Sequence, residues 1–119
     1  MKEILWKTRV TLRAADADPS QGHGFGLGVE QLLRGIDTYG SMNRTTKEMG
    51  MAYSKAWRIL RQVEEEFGVQ LIEREGAHGS RLTEEGRYWL THYREMVEAA
   101  DRAARAVAEK YFLPGEKKA

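Results

Sequence analysis

The chain has 119 residues and a formal net charge of +1, with 41% hydrophobic and 31% charged residues, the balance of one soluble globular domain. No apolar run approaches the roughly 18 residues of a membrane span, and Lys2, Glu3 and Lys7 interrupt the start too early for a signal sequence, so a cytoplasmic protein with no membrane partner is expected. The absence of cysteine excludes disulfides, thiolate metal sites and cysteine nucleophiles.

In chain order, residues 4–13 alternate, with Ile4, Trp6, Thr8, Val10 and Leu12 on one face and Lys7, Arg9, Thr11 and Arg13 on the other, which predicts a half-buried strand. Residues 14–28 change to Asp, Pro, Ser and the glycines Gly22, Gly24, Gly26 and Gly28, and read as loop. Neither G-x-G-x-x-G nor G-x-x-x-x-G-K-[ST] fits that run, so no nucleotide loop and no cofactor is expected. Val29, Leu32, Leu33 and Ile36 recur at helical spacing ahead of Gly40, predicting a helix over 29–39. Ser41 is placed to cap a short helix over 42–49 that stops at Gly50, and a third helix runs from Ala52 or Tyr53 to Phe67, with Gly68 behind it. Two helices joined by a tight glycine turn form a helix-turn-helix pattern.

The third helix has an apolar face of Ala56, Trp57, Leu60, Val63 and Phe67 and a polar face of Ser54, Lys55, Arg58, Arg61 and Gln62. Charge is concentrated there: Arg44, Lys47, Lys55, Arg58 and Arg61 stand against the single acid Glu48, giving residues 41–62 a net +4 and leaving −3 for the rest. Residues 69–74 read as a strand, 76–80 as a turn and 81–82 as a returning strand, together a wing. Thr83 then caps a long helix over 84–112, with Glu84 and Glu85 favourably placed in its first turn. The organisation expected is one mostly α domain over 1–113 with a small β component, and a disordered tail over 114–119.

The words GSM (40–42), MGMAYSKAWRIL (49–60), FGVQLIER (67–74) and LTEEGR (82–87) make the chain resemble the N-terminal DNA-binding domain of the molybdate-responsive ModE-type regulators and, more distantly, the LysR-type regulators. The resemblance covers about residues 4–108. It implies a winged helix-turn-helix that dimerises through its terminal helix and reads a palindromic operator. Thr45 and Thr46 depart from the small residues usual in the second helix, and the wing turn is poorer in glycine than is common. The oxyanion-binding modules of the ModE type have no counterpart in these residues, so no molybdate site is expected in this chain.

The resulting reading is a homodimeric, sequence-specific binder of double-stranded DNA and not an enzyme, with a protein-interaction module on the same scaffold as the alternative. Tyr53, Ser54, Lys55 and Arg58 occupy the first two turns of the helix that would enter the major groove. Ser41, Asn43, Arg44 and Thr45 surround the start of the second helix, where amides and polar side chains suit phosphate or simple capping. His78 and Arg81 are candidate wing contacts. Trp6 and Trp57 read as core. Trp89, Tyr93, Met96, Ala100, Ala103 and Val107 step by three and four residues and form a candidate dimerisation seam. His23, His78 and His92 lack acidic or histidine neighbours at ligand spacing, so no metal is expected, and Glu64, Glu65 and Glu66 read as a solvated run.

Overall fold

A computed structural model describes residues 2–77 and 79–113. His78 and the tail from residue 114 lie outside the described residues. The elements run α1 (Leu27–Tyr39), α2 (Met42–Met49), α3 (Tyr53–Phe67), β1 (Ile72–Glu75), β2 (Gly79–Leu82) and α4 (Glu84–Tyr111). The fold is mostly helical, a winged helix-turn-helix with one antiparallel two-stranded sheet in which Ile72 lies opposite Leu82 and Glu75 opposite Gly79. Helix ends follow the capping chemistry. Gly40, Gly50 and Gly68 close α1, α2 and α3 with φ of 67°, 65° and 67°, the left-handed conformation that a β-carbon disfavours. Ser41 Oγ accepts the Arg44 N–H at 3.1 Å, and Thr83 Oγ1 accepts the Gly86 N–H at 2.8 Å.

The core joins Phe25, Val29, Leu32, Leu33 and Ile36 to Ala56, Leu60 and Val63 of α3, to Leu71, Ile72 and Leu82 around the wing, and to Leu90 and Tyr93 of α4. Thr83 N–H donates to the Leu71 carbonyl at 3.0 Å, so the chain passes from wing to α4 already tied to the approach to β1.

Two expectations are corrected by the packing. Residues 4–13 are extended and bury alternate side chains, but they form no sheet strand: only Leu12 pairs, exchanging both backbone hydrogen bonds with Phe25 at 2.9 Å. Their support is a helix, since the Tyr93 hydroxyl of α4 donates to the Val10 carbonyl at 2.7 Å. The acidic run of α3 is likewise mostly engaged. Glu64 Oε2 accepts the Leu71 and Ile72 N–H groups at 2.8 and 3.4 Å, and Glu66 Oε2 accepts from Arg13 Nε and the Ala14 N–H, both at 2.9 Å. Glu65 alone of the three is exposed.

The hydrogen bond from the Arg13 guanidinium, aided by the Ala14 N–H, holds the Glu66 carboxyl below its ordinary value of 4.5. A carboxylate depressed in this way adds stability that is complete above its unfolded value and is lost as pH falls through the lower folded value. Glu66→Gln is therefore expected to melt lower at neutral pH than the parent and to lose less on acidification below 4.5. Parallel melting curves across that range in both proteins would reject the coupling.

Candidate nucleic-acid interface

α3 is oriented by its own amphipathicity. Ala56, Leu60 and Val63 are buried, which turns Tyr53, Ser54, Lys55, Arg58, Arg61 and Gln62 outward. Tyr53 keeps 45% of its surface exposed. The turn that carries α3 is closed at Gly50 and by the Met51 N–H donating to the Thr46 carbonyl at 2.9 Å. The wing is fixed to the other end of α2's approach, because the Ser80 N–H donates to the Gly40 carbonyl at 2.9 Å.

These ties bring separate sequence candidates onto one side. Ser41, Asn43 and Tyr53 line a single cleft with Arg74 and Gly76 of the wing. A neighbouring depression along α3 is lined by Tyr53, Ser54, Trp57, Arg58 and Arg61. Lys55 and Arg44 are exposed nearby on α3 and α2, with the Arg44 guanidinium 4.8 Å from the centroid of the Tyr39 ring.

Trp57 belongs to this surface as well as to the core margin. Its ring is half-buried, with the guanidinium of Arg61 at 5.9 Å and that of Arg74 at 4.7 Å from the centroid, and Tyr53 edge-on at 6.3 Å. Cations held over an indole face keep their N–H groups directed outward while losing rotamer freedom in advance. The sequence reading did not single out Arg74, and no local spacing could have done so, because its partner lies on a different element.

Several candidate residues stand elsewhere. Thr45 is completely buried against α1, where a β-carbon on Gly35 would meet its Cγ2 at 2.3 Å, and its hydroxyl donates to the Ser41 carbonyl at 2.8 Å. It is a packing residue, corrected from the phosphate set. Arg81 pairs within the wing, with Glu73 at 2.6 Å and Glu75 at 3.5 Å, and the Glu73 carboxylate first, then Glu75, raise its guanidinium pKa further. Its charge is met by acids of the same hairpin, on the exposed surface of the wing. His78 lies outside the described residues.

The candidate seam on α4 divides in two. Trp89 packs on Phe67 and Phe25, with centroids 4.7 and 5.5 Å away, and Tyr93 is buried on Phe25 at 5.0 Å. Burial pushes the Tyr93 phenol up, with the Glu30 carboxylate adding to the effect. Tyr93 is covered by its own chain and leaves the seam, whereas Trp89 packs on that core and stays partly exposed. Met96, Ala103 and Val107 remain exposed, and Ala100 is half-buried. His23 is exposed; His92, contrary to the expectation that it lacks an acidic neighbour, has its Nδ1 2.6 Å from Glu95 Oε1 one helical turn on, and no cluster among the described residues could hold a metal ion.

A polar helix presented on a glycine turn, with a hairpin anchored beside its first turn, makes this a winged helix-turn-helix domain. Residues 31–87 match the family model described as bacterial regulatory helix-turn-helix protein, lysR family. That is the more distant of the two resemblances drawn from the sequence, and its span runs from α1 into the first turn of α4. The fold is shared with the BenM DNA-binding domain in its complex with catB site 1 DNA, at a TM-score of 0.54 and 20% identity over 67% of this chain and 88% of that one. The same domain in complex with benA site 1 DNA gives a TM-score of 0.55 at 20% identity, over 67% and 92% of the two chains. No curated protein sequence matches the chain.

Proposed function

We propose that this chain binds double-stranded DNA sequence-specifically as a homodimer and regulates transcription. One observation carries the reading: the first two turns of α3 expose Tyr53, Ser54, Lys55 and Arg58 on the side that the wing and the start of α2 also border. In helix-turn-helix proteins the second helix enters the major groove with these N-terminal positions nearest the base edges. Arg58 is the side chain best suited to read guanine, through paired hydrogen bonds to O6 and N7. The free amides at the start of α2, with Asn43 and Arg44, suit phosphate, and Arg61 and Arg74 on Trp57 extend that positive border. The likeness to BenM domains bound to DNA supports the same reading, as does the lysR-family match over the helix-turn-helix. Kinship with the ModE type, drawn from residues 40–42, 49–60, 67–74 and 82–87 together, is its finer part. The homodimer is supported by Met96 and Val107, 46% and 53% exposed on a helix about 42 Å long, and by the prevalence of two-fold assemblies.

The test is a pair of substitutions read on selected and random duplexes. Arg58→Ala is expected to weaken the selected site by about 1–3 kcal/mol and random DNA far less. Arg44→Ala is expected to weaken both alike and to flatten the salt dependence, since a phosphate contact acts through counterion release. Equal losses from Arg58→Ala on both duplexes would remove it from base reading, and unchanged affinity in both variants would overturn the interface.

A further inference from the structure

Residues 2–12 and most of α4 lie outside the span that matches the family model, and they form a second surface. The N-terminal segment runs along α4 in the opposite direction. Val10 meets Tyr93 through the 2.7 Å hydrogen bond, Thr8 Oγ1 donates to Asp101 Oδ1 at 3.4 Å, and the Trp6 ring lies under the Arg105 guanidinium at 4.9 Å. Burial alternates as in a strand lying on a layer: Ile4, Trp6, Thr8 and Val10 are half-buried, while Glu3, Leu5, Lys7, Arg9 and Thr11 are exposed. Among the described residues, no main-chain group from Lys2 to Thr11 enters a backbone hydrogen bond with another. Apart from the Val10 carbonyl, taken by Tyr93, the segment is a strand in conformation with open edges, and Leu5 is 94% exposed. Open strand edges are templates for pairing.

We propose that the occupant of this edge is a second copy of the same segment, paired antiparallel about a two-fold axis at Leu5. The inference rests on the homodimer reading and places that dimer on the N-terminal strand. An axis perpendicular to the sheet keeps outer faces together, so paired residues share parity and their numbers have a constant sum. With Leu5 opposite Leu5, Glu3 faces Lys7 on both sides of the axis, and Ile4 faces Trp6 on the inner face. Opposite charges across a strand pair attract and like charges repel. Moving the axis to Trp6 sets Leu5 against Lys7. Moving it to Lys7 sets Lys7 against Lys7 and Leu5 against Arg9, and an axis at Arg9 opposes two arginines. Only the Leu5 register matches apolar to apolar and acid to base. Each strand lies on its own α4, so pairing also brings the two α4 helices alongside each other on one face of the new sheet.

The full chain and its variants are compared by analytical ultracentrifugation across a concentration series, with circular dichroism to confirm the fold. Leu5 makes no buried contact to lose, so Leu5→Glu is expected to leave helicity unchanged and to raise the dimer dissociation constant about tenfold or more by opposing two carboxylates at the axis. Glu3→Lys and Lys7→Glu are each expected to weaken the dimer, and the double exchange is expected to restore it. A dimer indifferent to Leu5→Glu and to both charge reversals, yet dissociated by Ala100→Glu, overturns the strand interface and keeps the homodimer. A parent protein that is folded but monomeric at every concentration overturns both.

Discussion

Phe25→Ala is expected to cost about 3–5 kcal/mol in denaturant unfolding, close to the whole stability of a small domain. The ring is fully buried, with Trp89 at 5.5 Å and Tyr93 at 5.0 Å between centroids, and its backbone exchanges two hydrogen bonds with Leu12. Truncation would leave a void at the junction of the glycine loop, α1 and α4, and the surrounding helices are too tightly tied to collapse into it. The same change would loosen the support of the N-terminal segment, because Tyr93, which holds Val10, packs on this ring. A loss below about 1 kcal/mol would mean that the site relaxes freely and that Phe25 is not central to the core.

That residue also marks where the sequence stops being legible. Composition places Phe25 in a loop among four glycines, and loops are read as surface. The structure instead uses one of those glycines to bring backbone close to backbone: Gly24 has φ of 69°, and a β-carbon there would stand 2.4 Å from the Leu12 carbonyl oxygen. The longer helices were readable because each has an apolar period and an end signal of its own, and α2 from its end signals alone, the Ser41 cap and Gly50. The exposed face of α3 was readable for the same reason, since Ala56, Leu60 and Val63 fix which way Lys55 and Arg58 point. Positions whose partners come from another element were not. Thr45 looks polar until α1 closes over it, and Arg81 looks free until the hairpin register puts Glu73 opposite. Trp89 and Tyr93 show a related ambiguity, because a stripe at three and four residue steps has the same spacing whether its partner is another chain or the domain's own core.

Gly86→Ala is expected to be the most damaging of the helix glycine substitutions, although alanine is favoured over glycine within a helix by about 1 kcal/mol. The added Cβ would stand 2.1 Å from the Leu71 carbonyl oxygen and 2.9 Å from its carbon. Leu71 has little room to retreat: it is fully buried, its N–H donates to Glu64, and its carbonyl accepts the Thr83 N–H at 3.0 Å. Overpacking of this kind costs about 1–3 kcal/mol and at times more, which offsets the gain in propensity and leaves an expected net loss of up to about 2 kcal/mol in denaturant unfolding. Any relief must come from moving the start of α4 away from the approach to β1, and that displaces the wing relative to α3. Duplex affinity is therefore expected to fall even at temperatures where Gly86→Ala remains folded. Gly28→Ala provides the contrast, since that position lies in the first turn of α1 with nothing within 4 Å of the new Cβ, and it is expected to be neutral or stabilising. If Gly86→Ala melts and binds DNA like the parent, the contact between α4 and Leu71 is not what sets the wing in place.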